Sequence, residues 1–277
     1  MNRHRKIMLA LAAMALAAPG AMALEYADMN AVGGYGPYQA INGGEFTLRI
    51  SAAQADSGIV AGNGAGSTWS FYDSKTRSQV LGSQNEYNFQ TFCAEGSAYI
   101  YSGQQVDVTI ADSTKFENKP LSVGAAWIYA QFASGQLADD GYAYAGGTAA
   151  QIAARKDSAW ALQNTIWWLM GTEGYGKDTP AKRLAAAPNN VYTTLVKSTF
   201  AGTSMFDDNA GLYGVAVVRL WADGDAGRQL PGNDRQDQLV LTTQGGNKTP
   251  DGGFTLALLG MSLTGLGALR RRFKPAR

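Results

Sequence analysis

The sequence has little of the side chains on which many hydrolases and metalloproteins depend. Its 277 residues include one cysteine and one histidine. A single cysteine excludes an intramolecular disulfide, and we find no His/Cys spacing typical of a metal site. Charged residues make up 16% of the chain and hydrophobic residues 45%, a composition typical of a folded protein. We therefore expect a folded chain without a cofactor or a bound metal.

Basic residues are concentrated at the two ends of the chain. Residues 1–23 hold three bases and no acid, and residues 250–277 hold five bases and one acid. The residues between them hold 15 bases and 21 acids, a net charge of −6. This middle part lacks the basic surface that neutralises phosphates, so we expect no nucleic-acid partner.

The amino-terminal segment has the layout of a secretory signal peptide. Three bases precede an apolar run over residues 7–18, and Ala21 and Ala23 occupy the small-x-small positions of a cleavage site. We expect a signal peptide over residues 1–23. An uncleaved anchor is the alternative, but the run is shorter than the ~20 residues of a membrane span. Cleavage would remove His4, the sole histidine, and export would place the chain in an oxidising compartment.

The carboxyl-terminal segment has three parts. A short motif over residues 249–253 is followed by an uncharged apolar stretch over residues 254–269 and a basic tail over residues 270–277. The stretch predicts a transmembrane helix whose basic tail stays cytoplasmic, with everything upstream outside. The residues that define the motif and the tail are Pro250, Asp251, Gly252, Gly253, Arg270, Arg271 and Arg272.

This three-part arrangement resembles the PEP-CTERM class of sorting signals. Pro-Asp-Gly-Gly stands where the commonest form has Pro-Glu-Pro, and it is closer to the Val-Pro-Asp-Ser-Gly variant. The resemblance implies a membrane-anchored precursor that is held transiently in the inner membrane and cut by an exosortase-type enzyme. It further implies an exported product in the cell envelope, at the cell surface or in the extracellular matrix of a Gram-negative, exopolysaccharide-producing bacterium.

Residues 24–248 form the expected ectodomain, in which strands flank a helical region. Phe46, Leu48 and Ile50 alternate with polar residues, which predicts a two-faced antiparallel strand, and residues 106–110 repeat the pattern. From about residue 120 to about residue 200, apolar residues recur at the spacing of an α-helix. We predict an α+β fold in which a β-sandwich or barrel-like antiparallel sheet carries an inserted helical subdomain.

Two local signals mark the ends of the longest predicted helix. Thr148 and Gln151 have the spacing of a capping box, and Gly171 is a typical residue for a helix carboxyl end. A further helical stretch runs from Pro180 to about Phe200. Pro188 should interrupt it, because proline lacks the backbone N–H that a helix interior requires.

Cys93 and Gln163 are the two residues most open to a chemical interpretation. Alternation places Cys93 on an aromatic, inward face of its strand, where most cysteines act as small buried hydrophobes. Leaving the Gln163 amide buried without partners would cost about 1–3 kcal/mol, so it needs hydrogen bonds or a special use. On a helix, Gln163 shares a face with the apolar residues Ala159, Trp160, Ile166, Trp167 and Met170.

The segments around these residues resemble the two halves of the thioester-domain signature of bacterial surface adhesins. They are residues 91–93 (Thr-Phe-Cys) and 162–167 (Leu-Gln-Asn-Thr-Ile-Trp). The resemblance implies that Cys93 and Gln163 condense with loss of ammonia into a buried thioester that acylates amines on a target surface. Thr165 and Leu162 depart from the usual Ala and Thr of the signature. A packing role for the same helix remains the alternative.

Thioester formation requires close approach of the two groups, an oxyanion partner and exclusion of water. Trp127, Trp160 and Trp167 are candidates for excluding water, and Glu95, a tyrosine or backbone groups are candidates for proton transfer. We expect adhesion or matrix association, with surface amines or extracellular polysaccharide as partners, and no enzymatic turnover. The alternative is a structural or polysaccharide-binding module without covalent chemistry.

One acidic segment remains after these assignments. It contains Asp223 and Asp225 beside glycines, with Asp234 and Asp237 after them. Carboxylates at alternate positions can bind Ca²⁺, but the other ligands of a calcium loop are absent from the sequence. We expect a solvated acidic turn.

Overall fold

The computed structural model describes residues 24–29, 38–40, 43–50, 88–96, 98, 105–172, 179–222 and 235–242. The predicted signal peptide and sorting segment, and the acidic segment as far as Asp234, lie outside these ranges. No helix within them is long and apolar enough to cross a membrane.

The described residues form eight strands in two antiparallel sheets. The larger sheet has the order β5-β4-β1-β6-β7-β8, and β2 pairs with β3 in a short hairpin. The strands are β1 (Leu24–Met29), β2 (Gln39–Ala40), β3 (Gly43–Gly44), β4 (Phe46–Ile50), β5 (Asn88–Thr91), β6 (Gln105–Ala111), β7 (Val215–Ala222) and β8 (Gln238–Leu241). The helices follow β6 and precede β7, although these two strands are neighbours in the sheet. The helical region is therefore an insertion between paired strands.

In the described part of this insertion there are four α-helices: α1 (Val123–Ala133), α2 (Ala149–Met170), α3 (Pro180–Ala185) and α4 (Val191–Thr199). The capping box predicted for α2 is confirmed, because Thr148 accepts from the Gln151 N–H and the Gln151 side chain accepts from the Thr148 N–H. Gly171 ends the helix in the left-handed conformation, as predicted. The break at Pro188 is also confirmed, since it lies between α3 and α4.

The predicted α+β class and antiparallel pairing are confirmed, but the barrel is not. The two outer strands of the large sheet meet at a single bridge between Cys93 and Gln238. One bridge does not make a ladder, so the described strands do not form a closed barrel. They do not form a sandwich either, because the second sheet consists of β2 and β3 alone within the described ranges. The helices take the place of a second large sheet, with α1 packing on β7 and β8.

A glycine allows the first two helices to pack closely. A Cβ atom on Gly124 of α1 would lie 2.7 Å from Leu169 Cδ2 and 2.8 Å from the Met205 carbonyl oxygen. Both distances are shorter than a carbon side chain tolerates, so only glycine fits here. The contact fixes α1 against α2, the helix that carries Gln163.

Candidate functional site

Cys93 lies just beyond the end of β5, where the chain meets β8. The Ala94 N–H donates to the Asp237 carbonyl at 2.8 Å, and the Leu239 N–H donates to the Phe92 carbonyl at 3.0 Å. These bonds fix the backbone on both sides of Cys93, whose side chain is fully buried. The cysteine is therefore placed by pairing between the outer strands of the sheet, a long-range contact.

Gln163, also fully buried, projects from α2 onto the backbone of Cys93. Its Oε1 accepts from the Cys93 N–H at 2.9 Å, and its Nε2 donates to the Cys93 carbonyl at 2.9 Å. The Gly44 N–H also donates to Oε1, at 3.4 Å. The structure thus brings together the two residues that the sequence singled out, although 70 positions separate them.

Hydrogen-bond donors face both the amide oxygen of Gln163 and the sulfur of Cys93. Two backbone N–H groups, from Cys93 and Gly44, point at the carbonyl oxygen of the Gln163 amide. Such donors stabilise the negative charge that develops on this oxygen when a nucleophile attacks the amide carbon. On the sulfur side, the Gln238 Nε2 donates to Cys93 Sγ at 3.4 Å. A donor at this position favours the thiolate form of the cysteine.

Close packing covers the amide. A Cβ atom on Gly43 would lie 2.8 Å from Gln163 Cγ and 2.8 Å from Trp167 Cη2, so the β2–β3 hairpin lies directly on both side chains. Trp167 is 5% exposed and packs edge-on against the half-buried Trp160, with ring centroids 5.9 Å apart. The third predicted tryptophan, Trp127, packs against Phe200.

A buried ion pair that the sequence analysis missed fixes α2 beside this hairpin. Arg155 pairs with Glu45, and both side chains are fully buried. The Arg155 Nε and the Tyr142 hydroxyl each donate to Glu45 Oε2 at 2.8 Å. Burial alone lowers the pKa of Arg155, but the Glu45 carboxylate, with smaller effects of Tyr142 and Tyr38, more than offsets this and raises it. The sequence did contain a signal for a buried Arg155. This residue lies four residues before Ala159 and eight before Gln163, which places it on the same helix face.

A second buried charged cluster lies on the β8 side of Cys93. It consists of Lys115, Asp237 and Glu95, all buried. The Lys115 Nζ lies 3.5 Å from Asp237 Oδ1, and the Lys115 N–H donates to Asp237 Oδ2 at 2.6 Å. The Asp237 N–H donates to Glu95 Oε1 at 3.3 Å. The solvated turn expected at Asp237 is therefore wrong, because Lys115 gives this carboxylate a buried partner.

Burial dominates the electrostatics of this cluster. Burial, together with the neighbouring Asp237 carboxylate, raises the pKa of Glu95 to about 8 against the opposing effects of the Asp237 N–H and Lys115. Burial also raises the pKa of Asp237 to about 6, against the opposing effects of Lys115 and Arg219. Glu95, a predicted candidate for proton transfer, therefore holds its proton at neutral pH two residues from Cys93. Within the described ranges no group of His, Cys, Asp and Glu could hold a metal ion.

Comparison with known proteins gives a match in the carboxyl-terminal segment, outside the candidate site. A family model described as the VPDSG-CTERM motif matches residues 250–273. Nothing among the curated proteins or the solved structures matches the chain. The motif supports a PEP-CTERM-like carboxyl-terminal sorting signal, in the variant form that the sequence predicts. It indicates an exported protein whose membrane-associated precursor is processed by an exosortase-type enzyme and is destined for the cell surface.

Proposed function

We propose that this protein acts at the cell surface or in the extracellular matrix as an adhesion module, through an internal thioester between Cys93 Sγ and the Gln163 side-chain carbonyl. The observation that carries the proposal is the pairing of the Gln163 amide with the Cys93 backbone. The Cys93 N–H donates to Gln163 Oε1 at 2.9 Å, and Gln163 Nε2 donates to the Cys93 carbonyl at 2.9 Å. This pairing holds an ordinarily inert amide against the backbone of the residue that carries the only thiol of the chain, within a buried site.

The bond-forming step is balanced without a co-reactant. The sulfur of Cys93 attacks Cδ of Gln163, and the negative charge develops on Oε1, which faces the N–H groups of Cys93 and Gly44. The C–N bond then breaks, and the proton of the thiol leaves with the amide nitrogen as ammonia. Glu95 is the nearby acid that is protonated at neutral pH, and we assign it the transfer of that proton.

The thioester would be used once and not turned over. A primary amine on a target surface attacks the carbonyl carbon, forms an amide with residue 163 and releases the Cys93 thiol. Burial beneath Gly43 and Trp167 protects the bond from hydrolysis before it meets an amine. The reaction attaches the protein to its target, so we propose an adhesive function in place of an enzymatic one.

Amine capture tests this function. The exported protein is purified and incubated with biotin-labelled cadaverine, and its peptides are sequenced by mass spectrometry. The proposal predicts one labelled amine at residue 163 and one newly titratable thiol at Cys93. Labelling spread over several glutamines, or none at residue 163, would contradict it.

Three variants make the assay specific. Cys93→Ser and Gln163→Glu each remove one partner, and both should abolish labelling. The matched control is Asn164→Asp, because Asn164 is the adjacent amide on α2 and its side chain donates to the Trp160 carbonyl at 2.9 Å, away from Cys93. This control should label as the unchanged protein does.

A structural module without covalent chemistry is the second candidate function. It is favoured by the hydrogen bonding of Gln163, whose two amide atoms both have backbone partners, as a purely structural amide would. A polysaccharide-binding version has less support, because Tyr142 and Tyr144 are buried and, among the aromatic side chains that the structure describes, only Phe116 is exposed. Glycan pull-down with Phe116→Ala as the comparison tests that version.

A further inference from the structure

Lys115, Asp237 and Glu95 are placed together by three separate strands. Lys115 follows β6, Asp237 directly precedes β8, and Glu95 follows β5. The lysine and the aspartate are 122 positions apart in the chain. Their side chains are 0% exposed, and the Lys115 Nζ lies 3.5 Å from Asp237 Oδ1. A primary amine and a carboxyl group are thus held in contact in a site that solvent does not reach.

The surroundings of the amine are apolar on one side and polar on the other. The Nζ lies 4.5 Å from the centroid of the Trp221 ring and 5.1 Å from that of Phe116. It also donates to the Arg235 carbonyl at 2.8 Å and to the Leu220 carbonyl. These contacts fix the nitrogen beside Asp237, and the aromatic rings exclude water, which would favour the reverse hydrolysis of the bond.

We infer that Lys115 and Asp237 are joined in the mature protein by an intramolecular amide bond between Nζ and Cγ. The ammonium and the carboxylate together lose one water molecule: the N–C bond forms, one C–O bond breaks, and two protons of the ammonium leave with that oxygen. No oxidant, reductant or co-reactant is needed. The product is neutral, so it avoids the desolvation cost of keeping two opposite charges in the protein interior.

Glu95 is the positioning and proton-transfer residue of this reaction. Its Oε1 accepts from the Asp237 N–H, and its Oε2 has no hydrogen-bond partner within the described ranges. The carboxyl group interacts electrostatically with both Lys115 and Asp237. A carboxyl at this place can take a proton from the attacking nitrogen and deliver one to the departing oxygen, and it ends the reaction unchanged.

The bond would tie the end of β6 to the start of β8 across β7, which lies between them in the sheet. It would also fix Asp237, whose carbonyl accepts from Ala94, the residue after Cys93. It does not depend on the thioester, and the two bonds lose different small molecules.

Intact mass of the full Cys93→Ala chain tests the inference, because this variant cannot form the thioester. The mass is compared with the value calculated from its sequenced terminal peptides. A deficit of about 18 Da, one water, is expected, together with a branched peptide that joins Lys115 to Asp237. The full calculated mass, with trypsin cutting after Lys115, would overturn the amide bond and leave an ion pair only.

Variants separate the covalent bond from simple packing. Lys115→Met should restore the full mass, whereas Lys119→Met, at a half-exposed lysine, should keep the deficit. Glu95→Gln retains the size of the side chain but not its acid–base chemistry, and should slow bond formation while the near-UV circular dichroism stays unchanged. An unchanged bond yield in Glu95→Gln would contradict the role of Glu95.

One substitution keeps the test informative even where Lys115→Met fails to fold. In Asp237→Asn the leaving group becomes ammonia, about 17 Da, and the linked product is chemically identical to that of the parent chain. Linked Asp237→Asn protein should therefore have the same mass as the linked parent. A variant that instead retains its full calculated mass would contradict the inference. Failure of amine capture at Gln163 would leave this result unaffected, so the two proposals fail independently.

Discussion

The side-chain amide of Gln163 spans the backbone of Cys93, accepting from its N–H at 2.9 Å and donating to its carbonyl at 2.9 Å. Because one end of the amide is an acceptor and the other a donor, this pairing permits only one orientation of the group. The carbonyl oxygen consequently faces the N–H groups of Cys93 and Gly44. The geometry is that of an amide held for attack or held for packing, and the predictions below separate the two.

The glycine above the site should be intolerant of any side chain. In Gly43→Ala the new Cβ would meet Gln163 Cγ and Trp167 Cη2, each at 2.8 Å. Forcing a methyl group into a filled site costs about 1–3 kcal/mol. We expect urea unfolding to show this loss, and amine incorporation at residue 163 to fall because the amide is displaced.

A second glycine provides the control. In Gly147→Ala the nearest atom, Gln151 Oε1, would lie 3.5 Å from the new Cβ, an ordinary contact. Stability and amine incorporation should both be unchanged. If Gly43→Ala behaves like Gly147→Ala, the hairpin does not fix Gln163 in the way the structure describes.

The buried ion pair between Glu45 and Arg155 should contribute far more to the free energy of unfolding than an ion pair at the surface does. Glu45→Gln leaves the Arg155 guanidinium buried without a carboxylate, which costs about 3–5 kcal/mol. Glu117→Gln removes an exposed partner of Lys119 and should cost at most about 1 kcal/mol. Chemical denaturation of both variants checks the difference, and equal losses would contradict the importance assigned to the buried pair.

Stability should fall as the pH rises through the titration of Glu95. Burial raises the pKa of this carboxyl to about 8 in the folded chain, from an ordinary value of 4.5. Between these values the unfolded chain releases a proton that the folded chain keeps, so the free energy of unfolding decreases with pH by up to about 1.4 kcal/mol per pH unit. The contribution is fully present below pH 4.5 and is lost by about pH 8.

Unfolding measured across this range tests the sign and the origin of the dependence. Glu95→Gln should flatten the decrease above about pH 6, because glutamine does not titrate and the raised pKa of Asp237 is about 6, whereas Glu117→Gln should leave it in place. The slope is the relevant quantity, since the substitution also changes the absolute stability. A stability that rises with pH over the same interval would contradict a raised pKa at Glu95.

Local signals in the sequence predicted the helices well. The capping box at Thr148 and the glycine at Gly171 fix the ends of α2 through contacts within a few residues, so they can be seen without the fold. The alternation at residues 46–50 and 106–110 likewise predicted β4 and β6. Gln163 stood out because an amide within an apolar helix face needs a partner.

Long-range pairing could not be predicted in the same way. The bridge between Cys93 and Gln238 joins strands at opposite ends of the sheet order, and no local pattern indicates which strand ends meet. Asp237 looked like part of an exposed acidic turn for the same reason, since its partner Lys115 is 122 positions away. Arg155 could have been noticed, because it lies on the same helix face as Gln163. No local sequence pattern indicates that Glu45 is its partner.

Intact mass spectrometry of the exported chain tests the thioester most directly. The masses of the unchanged protein and of Gln163→Glu are each compared with the value calculated from their sequenced terminal peptides. The account predicts that the unchanged protein is lighter, relative to its calculated mass, by about 17 Da more than the variant, one ammonia, and that methylamine turns this deficit into an excess of about 14 Da as it forms an N-methyl amide at residue 163. Equal deviations in the two proteins, with a Cys93 thiol that reacts before any amine is added, would contradict it.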